Sequence, residues 1–455
     1  MARRFRLDPI TQRRLDRFRR IKRGYYSFMI LSVAIVLSIF APYLAESRAL
    51  LVWHDGRVYL PTFEFYEMDV FGQEPPPAWG MGDLETEYLR LQREWRLERA
   101  LFRAERDRVG DDPAAMSALE ARYPNRRNFV VMPPIPWDPY ESDFWYNEIL
   151  NDMDAALTAG DTLRAITMAR RDGLDELADA IESGELASLL ADPEVSPTGT
   201  LPGLAIAGVF PGTDQLGRVP PTAPDRGRRH WLGTDSQGRD VASRLLYGFR
   251  ISIFFALFLV IFGQIIGTFV GSLQGYLGGR FDILSQRVLE VLIAVPFLYV
   301  VIIMAALFQP SFWMLLGIMA IFQWIGITFY MRTEMYREKT REYCLAARSY
   351  GASHLRIMFR HLLPNCLTPL VTFTPFAVVG AIFALTGLDY LGYGLPAPTP
   401  SWGELIDQAL MAENRDKLWL TLAPFGALTF TLVLVVFIGE SVREAFDPKQ
   451  YARYE

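Results

Sequence analysis

The sequence predicts an all-α polytopic membrane protein with six transmembrane helices and a large, mainly helical extracytoplasmic insert between helices 1 and 2. Three observations carry this. Half of the 455 residues are apolar, and they are clustered: six runs, at approximately 27–45, 250–273, 288–308, 311–331, 366–388 and 418–439, can each cross a hydrocarbon core of about 30 Å as a helix. The stretch 46–230 is instead charged and carries soluble-type periodicities. A dense basic tail precedes the first run. The chain therefore divides into a cytoplasmic tail (1–26), helix 1 (27–45), the insert (46–230) and a membrane core (231–455) holding helices 2–6 and a polar loop at 332–365.

The tail contains Arg3, Arg4, Arg6, Arg13, Arg14, Arg17, Arg19, Arg20, Lys22 and Arg23. Positive charge beside a first span stays on the cytoplasmic side. A cleaved signal peptide is the weaker reading, because the apolar run is long and Tyr43-Leu44-Ala45 is a poor cleavage site. Counting from an inside start places both termini and the 332–365 loop in the cytoplasm. That loop holds Arg332, Arg337, Lys339, Arg341, Arg348, Arg356 and Arg360, whereas 389–416 is mostly acidic.

The insert opens as a hairpin, Leu50 to Trp53 and Val58 to Leu60 about a turn at Asp55-Gly56. Pro75, Pro76 and Pro77 break the chain. From Asp83, the residues Leu84, Tyr88, Leu91, Trp95 and Phe102 recur at helical spacing among Glu and Arg, which predicts a long charged helix. Further helices are expected at 142–158 and 161–190. Between them a proline-stiffened run carries Trp137, Tyr140, Phe144, Trp145 and Tyr146, either a docking surface or a small core or interface anchor. Residues 192–230, rich in Pro and Gly, read as a linker descending to the membrane. Asp235 and Asp240 lack the oxygen spacing of a calcium loop and suit a turn capping a short helix. The two cysteines, Cys344 and Cys366, lie outside the insert, so no disulfide framework is expected there.

In the membrane core, Gly263, Gly267, Gly271 and Gly275 fall on one helical stripe and predict a close helix contact, with a partner in this chain or another. Glu290 and Pro296 in the third span are candidate translocation-path residues. A carboxylate at mid-bilayer costs about 2.5 to 3.5 kcal/mol, and the competing reading of Glu290 is an interfacial residue paired with Arg287. Gln309-Pro310-Ser311 forms an outer turn, and Pro369 and Pro375 mark kinks or packing irregularities in the fifth span.

Residues 341–365 are too charged to cross a bilayer and lie between two spans, so they form a soluble loop. Leu345, Ala346, Ala347 and Arg348 favour a helix, and Gly351 supplies a joint. Ser353, after Ala352, caps a second short helix running to His361, and Pro364, after Leu363, opens the next span.

This loop resembles the coupling, or EAA, loop of permease subunits in ATP-binding cassette importers: the small pair Ala346 and Ala347, the fixed Gly351 and the closing Leu363-Pro364. Leu345 replaces an acidic residue and His361 an aliphatic one, departures similar to the oligopeptide and dipeptide branch. The runs Leu232 to Asp235, Gly238 to Asp240, Ser243-Arg244, Gly248, Arg250 and Ser252 also resemble that branch. So do Gly392, Gly394, Pro396, Pro400 to Gly403, Gly439 to Ser441, Arg443 and Asp447-Pro448. Arg23 to Ser27 and the hairpin look most like the Yej-type subgroup, which imports oligopeptides and the antibiotic microcin C, although 73–200 is longer than expected there.

The resemblance implies the type I importer fold, with Leu345 to Arg348, Gly351 to Ser353, Leu363 and Pro364 coupling to an ATPase. It implies a bacterial inner-membrane subunit that is not itself an enzyme, working with a sister permease, a cytoplasmic ABC ATPase, an extracytoplasmic peptide-binding protein and membrane lipid. None of Lys22, Lys339, Lys417 and Lys449 follows a glycine, so no Gly-Lys-Ser/Thr phosphate loop can be written. ATP and Mg would thus be used by a partner, and this chain is expected to bind no cofactor or metal. The modest acidic balance does not suggest nucleic acid. Two alternatives are a proton-coupled secondary transporter, for which only Glu290 is a candidate carboxylate, and a membrane-anchored receptor acting through the insert.

Overall fold

The structure, a computed structural model, describes residues 9–73, 85–109, 112–140, 153–171, 174–191, 220–224 and 229–446. Outside them lie Arg3, Arg4 and Arg6, the break at Pro75 to Pro77, Leu84, the aromatics Phe144, Trp145 and Tyr146, most of the 192–230 linker, and Asp447-Pro448. The chain divides into two compact units, one of Met1–Ile39, Tyr247–Asp407 and Pro424–Glu455, the other of Phe40–Leu246 and Gln408–Ala423.

The first unit begins with a basic helix, α1 (Pro9–Arg20), followed by the membrane-crossing α2 (Lys22–Ile39). The expected span at 27–45 is thus shifted toward the amino terminus. Pro42 lacks an N–H and cannot continue α2, so Ala41–Leu44 forms a separate turn.

In the second unit the predicted hairpin is present. Strands β1 (Leu51–His54) and β2 (Arg57–Tyr59) pair antiparallel, with Trp53 opposite Val58. Asp55 (φ 47°) and Gly56 (φ 79°) give the two left-handed turn residues that match strand twist. A third strand, β3 (Phe129–Val131), was not expected; it pairs antiparallel on the other side of β1. Helix α3 (Tyr88–Val109) lays Tyr88, Leu91 and Trp95 against this sheet, as their spacing predicts, in a core with Val52, Phe71 and Val130. Farther along, Leu97 and Leu101 pack on α4 (Pro113–Arg122) and on three short helices, α5 (Thr162–Arg171), α6 (Asp175–Ser183) and α7 (Glu185–Leu190). The single helix expected at 161–190 is therefore broken; Gly184 (φ 80°) ends α6 and turns the chain so that Leu186 folds back onto the same core. Trp137 is buried and stacks on His230 at 4.3 Å. That supports its reading as core; Tyr140 is exposed.

Asp240 does cap a helix, its carboxylate accepting from the Ser243 N–H at 2.7 Å, but that helix is not short: α8 (Val241–Leu277) is the second span itself, extended by two turns. Buried Asp235 accepts from the N–H groups of Gln237 and Arg239 and from the Arg239 guanidinium. Both aspartates are thus structural, and among the described residues no cluster of three acidic, His or Cys ligands exists.

In the first unit the expected third span is two helices, α9 (Gly279–Ala294) and α10 (Phe297–Leu307), bent by 68°. Val295 and Pro296 are extended at the break, because proline removes a donor and disfavours helix in the residue before it. Helix α11 (Phe312–Glu338), capped by Ser311, outlasts the expected span end at 331. After the short α12 (Glu342–Ser349), α13 runs continuously over His354–Tyr390. Pro364 therefore does not open the fifth span. It lies inside α13, where a wide π turn over Ile357–Leu362 and a tight 3-10 turn over Leu363–Cys366 absorb its missing hydrogen bond. The loop after α13 is held by Asp389, which accepts from the Leu395 N–H at 2.7 Å and the Ser401 hydroxyl at 2.5 Å. After α14 (Trp402–Leu410), α15 (Leu418–Phe446) closes the chain, and Gly24 of α2 packs on its Ser441.

Candidate coupling site

The loop between α11 and α13 is a helix, a glycine corner and a capped helix. Helix α12 has Glu342 in its first turn and Arg348 in its last, both favourable to its dipole. Its end is a Schellman motif: the Gly351 N–H donates to Arg348 O at 3.0 Å and the Ala352 N–H to Ala347 O at 3.1 Å. Gly351 holds φ 73°, a conformation that side chains rarely adopt. The Ser353 hydroxyl then accepts from the Arg356 N–H and caps α13.

The predicted coupling residues divide between two faces. Ala347, Ala352 and Leu363 pack inward on a cluster of Cys344, Ile357, Met358, Leu362 and Cys366 from the loop and α13 with Ile327, Met331 and Met335 from α11. Leu345, Ala346, Arg348, Gly351, Ser353 and Pro364 face solvent. Two neighbours that the sequence reading omitted join this outer face, Tyr350 (91% exposed) and Leu355 (66%). Their signal was present: both are large apolar residues beside the glycine corner of a polar loop. Polar contacts fix the loop to the helix ends. Tyr276 meets His354 at 2.7 Å, and the Tyr343 hydroxyl donates to Glu338 at 2.9 Å. Burial, reinforced by that bond, pushes Tyr343 up to about 12, and burial also raises the Cys344 thiol, so both are neutral at physiological pH.

The glycine stripe identifies its partner as α11. A Cβ at Gly267 would lie 2.4 Å from Trp324 O, at Gly271 2.5 Å from Thr328 O, and at Gly275 2.5 Å from Arg332 O; Gly263 abuts Gln323. Helices α8 and α11 are thus in backbone contact along a line that leads toward the coupling loop. At its Gly275 end, Asp282 of α9 is bound bidentately by Arg332 of α11 at 2.6 and 2.7 Å and accepts from the Tyr336 hydroxyl at 2.7 Å. Lys339 donates to Gly275 O at 2.7 Å and sits 4.2 Å from the centre of the Tyr336 ring. The sequence reading did not find this cluster.

Glu290 accepts from Arg287 at 2.5 Å, the pairing that competes with a path role, and neither side chain is buried within the chain. Pro296 sits at the break between α9 and α10. A cleft of about 240 Å³ between α8, α11 and α13 is lined by Gln264, Gln323, Tyr330, Phe373 and other residues, without Glu290 or Pro296.

Residues 263–450 match the family described as binding-protein-dependent transport system inner membrane component. The peptidoglycan transport system permease protein YejE of Agrobacterium fabrum is 32% identical over 448 residues, covering 98% of this chain and 95% of the relative. The inner membrane ABC transporter permease protein YejE of Escherichia coli K12 is 30% identical over 445 residues, 98% and 99% of the two chains. The dipeptide transport system permease protein DppC of Bacillus subtilis is 34% identical over 231 residues, 51% of this chain and 71% of that one. The first two alignments extend over the insert as well as over the membrane core.

Proposed function

This chain belongs to the family of binding-protein-dependent transport system inner membrane components, and on that premise we propose that it is the permease subunit of an ATP-driven importer of oligopeptides. The observation that carries the coupling is the outer face of the 339–355 loop: Leu345, Ala346, Arg348, Tyr350 and Leu355 form an exposed, partly apolar knob on a rigid glycine corner, fastened from beneath to α11 and α13. A cytoplasmic ATPase docks there, uses ATP and Mg, and moves the loop. A sister permease completes the path through the inner membrane, and an extracytoplasmic binding protein delivers the peptide. Both termini lie in the cytoplasm. Relatives named for dipeptide, oligopeptide and peptidoglycan transport share peptide chemistry in their cargo, and microcin C, a peptide conjugate, falls in the same class.

The test is to extract the chain with its neighbours, identify the co-purifying ATPase, and measure uptake of a labelled tripeptide in proteoliposomes with and without ATP. ATP-dependent uptake is expected. Cells lacking the chain should also resist microcin C. Uptake driven by a proton gradient without any ATPase overturns the reading.

A further inference from the structure

We infer that the Asp282–Arg332 pair, with Tyr336 and Lys339, is the clasp that passes movement of the coupling loop to the bent third span. The inference rests on the permease reading and names the residues through which its coupling acts. Helix α11 ends at Glu338, four residues before α12 begins. Within its last two turns, Arg332 and Tyr336 both hold Asp282, three residues into α9. Lys339 binds the Gly275 carbonyl near the end of α8. Three membrane helices are thereby tied at one corner, directly beneath the loop.

The chemistry suits a linkage that keeps its geometry under load. A bidentate guanidinium–carboxylate pair fixes angle as well as distance, and Asp282 is buried, so breaking the pair leaves a charge poorly solvated. The α8 and α11 backbones are already in contact along the glycine stripe. Helix α9 has no such stripe, and it joins α8 through Gly278 and its own first residue, Gly279, both at positive φ. The side-chain clasp is therefore what makes α9 follow α11. Beyond α9 the chain bends by 68° at Val295–Pro296, so rotation of α9 changes the direction in which α10 points. Arg332 and Asp282 are positioning residues: they touch neither ATP nor cargo.

The experiment compares the wild-type complex in proteoliposomes with Asp282→Asn, Arg332→Gln and the double variant, measuring ATP hydrolysis and labelled-tripeptide uptake in the same preparation. Hydrolysis should persist while peptides moved per ATP fall about tenfold, the low end of usual coupling effects. The charge-reversed pair Asp282→Arg, Arg332→Asp should recover part of that ratio. A purely structural role would lower the yield of complex and leave the ratio unchanged. Should a single variant fail to assemble, the double variant, which strands no buried charge, carries the test. An unchanged ratio in it overturns the clasp. A wild-type complex without ATP-driven uptake overturns the permease reading instead, so the two failures are distinguishable.

Discussion

Gly351 combines a positive φ with an N–H that donates to Arg348, and proline satisfies neither requirement. Gly351→Pro is expected to abolish ATP-driven peptide uptake while the chain still inserts in the membrane. Gly351→Ala, with no atom near its added methyl, meets only the backbone strain of about 1–2 kcal/mol and should keep partial uptake. Immunoblots of membrane fractions alongside tripeptide uptake check both, and normal uptake by a well-expressed proline variant contradicts the role given to the corner. The joint at Gly351 and the cap at Ser353 were legible in the sequence because their hydrogen bonds close within a few residues. The Asp282–Arg332 pair, separated by 50 positions, was not. A lone charge near the end of an apolar run reads as an interfacial residue until its partner is placed beside it.

Among the elements, the glycine stripe was legible as a contact surface but silent on its partner, since small-residue spacing describes one helix only. Its fit against α11 gives a sharp expectation. Leucine at Gly271 would drive a side chain into the Thr328 carbonyl and the Met331 side chain, and overpacking of this kind costs about 1–3 kcal/mol. The detergent-solubilised Gly271→Leu chain should therefore melt several degrees below wild type, whereas Gly317→Ala, where the new methyl meets nothing within 4 Å, should not. Equal melting of the two variants contradicts the helix contact. Other elements escaped the sequence reading for physical reasons. Strand β3 joins β1 across an intervening helix pair, and strand partners far apart in sequence leave no local mark. Proline in an apolar run signals either a kink or a full break; at Pro296 the extended Val295 makes it a break.

For the whole molecule, that break decides which side of the membrane everything after it occupies. With the basic α1 inside, α2 leads out and α8 leads back in. If α9 and α10 together form one crossing, α11 returns to the cytoplasm with Arg337, Lys339, Arg341, Arg348, Arg356 and Arg360 around its end, and α13 and α15 leave the carboxyl terminus inside. If the bent pair merely dips into the bilayer and returns, the same arginines emerge on the outer face and the mostly acidic 389–416 segment emerges inside. The positive-inside rule favours the first arrangement over the second. Cysteine labelling separates them. Tyr350→Cys, at a 91% exposed position, should react with a membrane-impermeant maleimide only when the cytoplasmic face is open, and docked ATPase should protect it. Gln309→Cys, in the exposed turn between α10 and α11, should react in intact spheroplasts. Native Cys344 is buried with its thiol held protonated, so it should label slowly from either side. Labelling of Tyr350→Cys in intact spheroplasts would make α9 and α10 a re-entrant loop, place the coupling corner where no ATPase exists, and remove the mechanical basis of ATP-driven import by this chain.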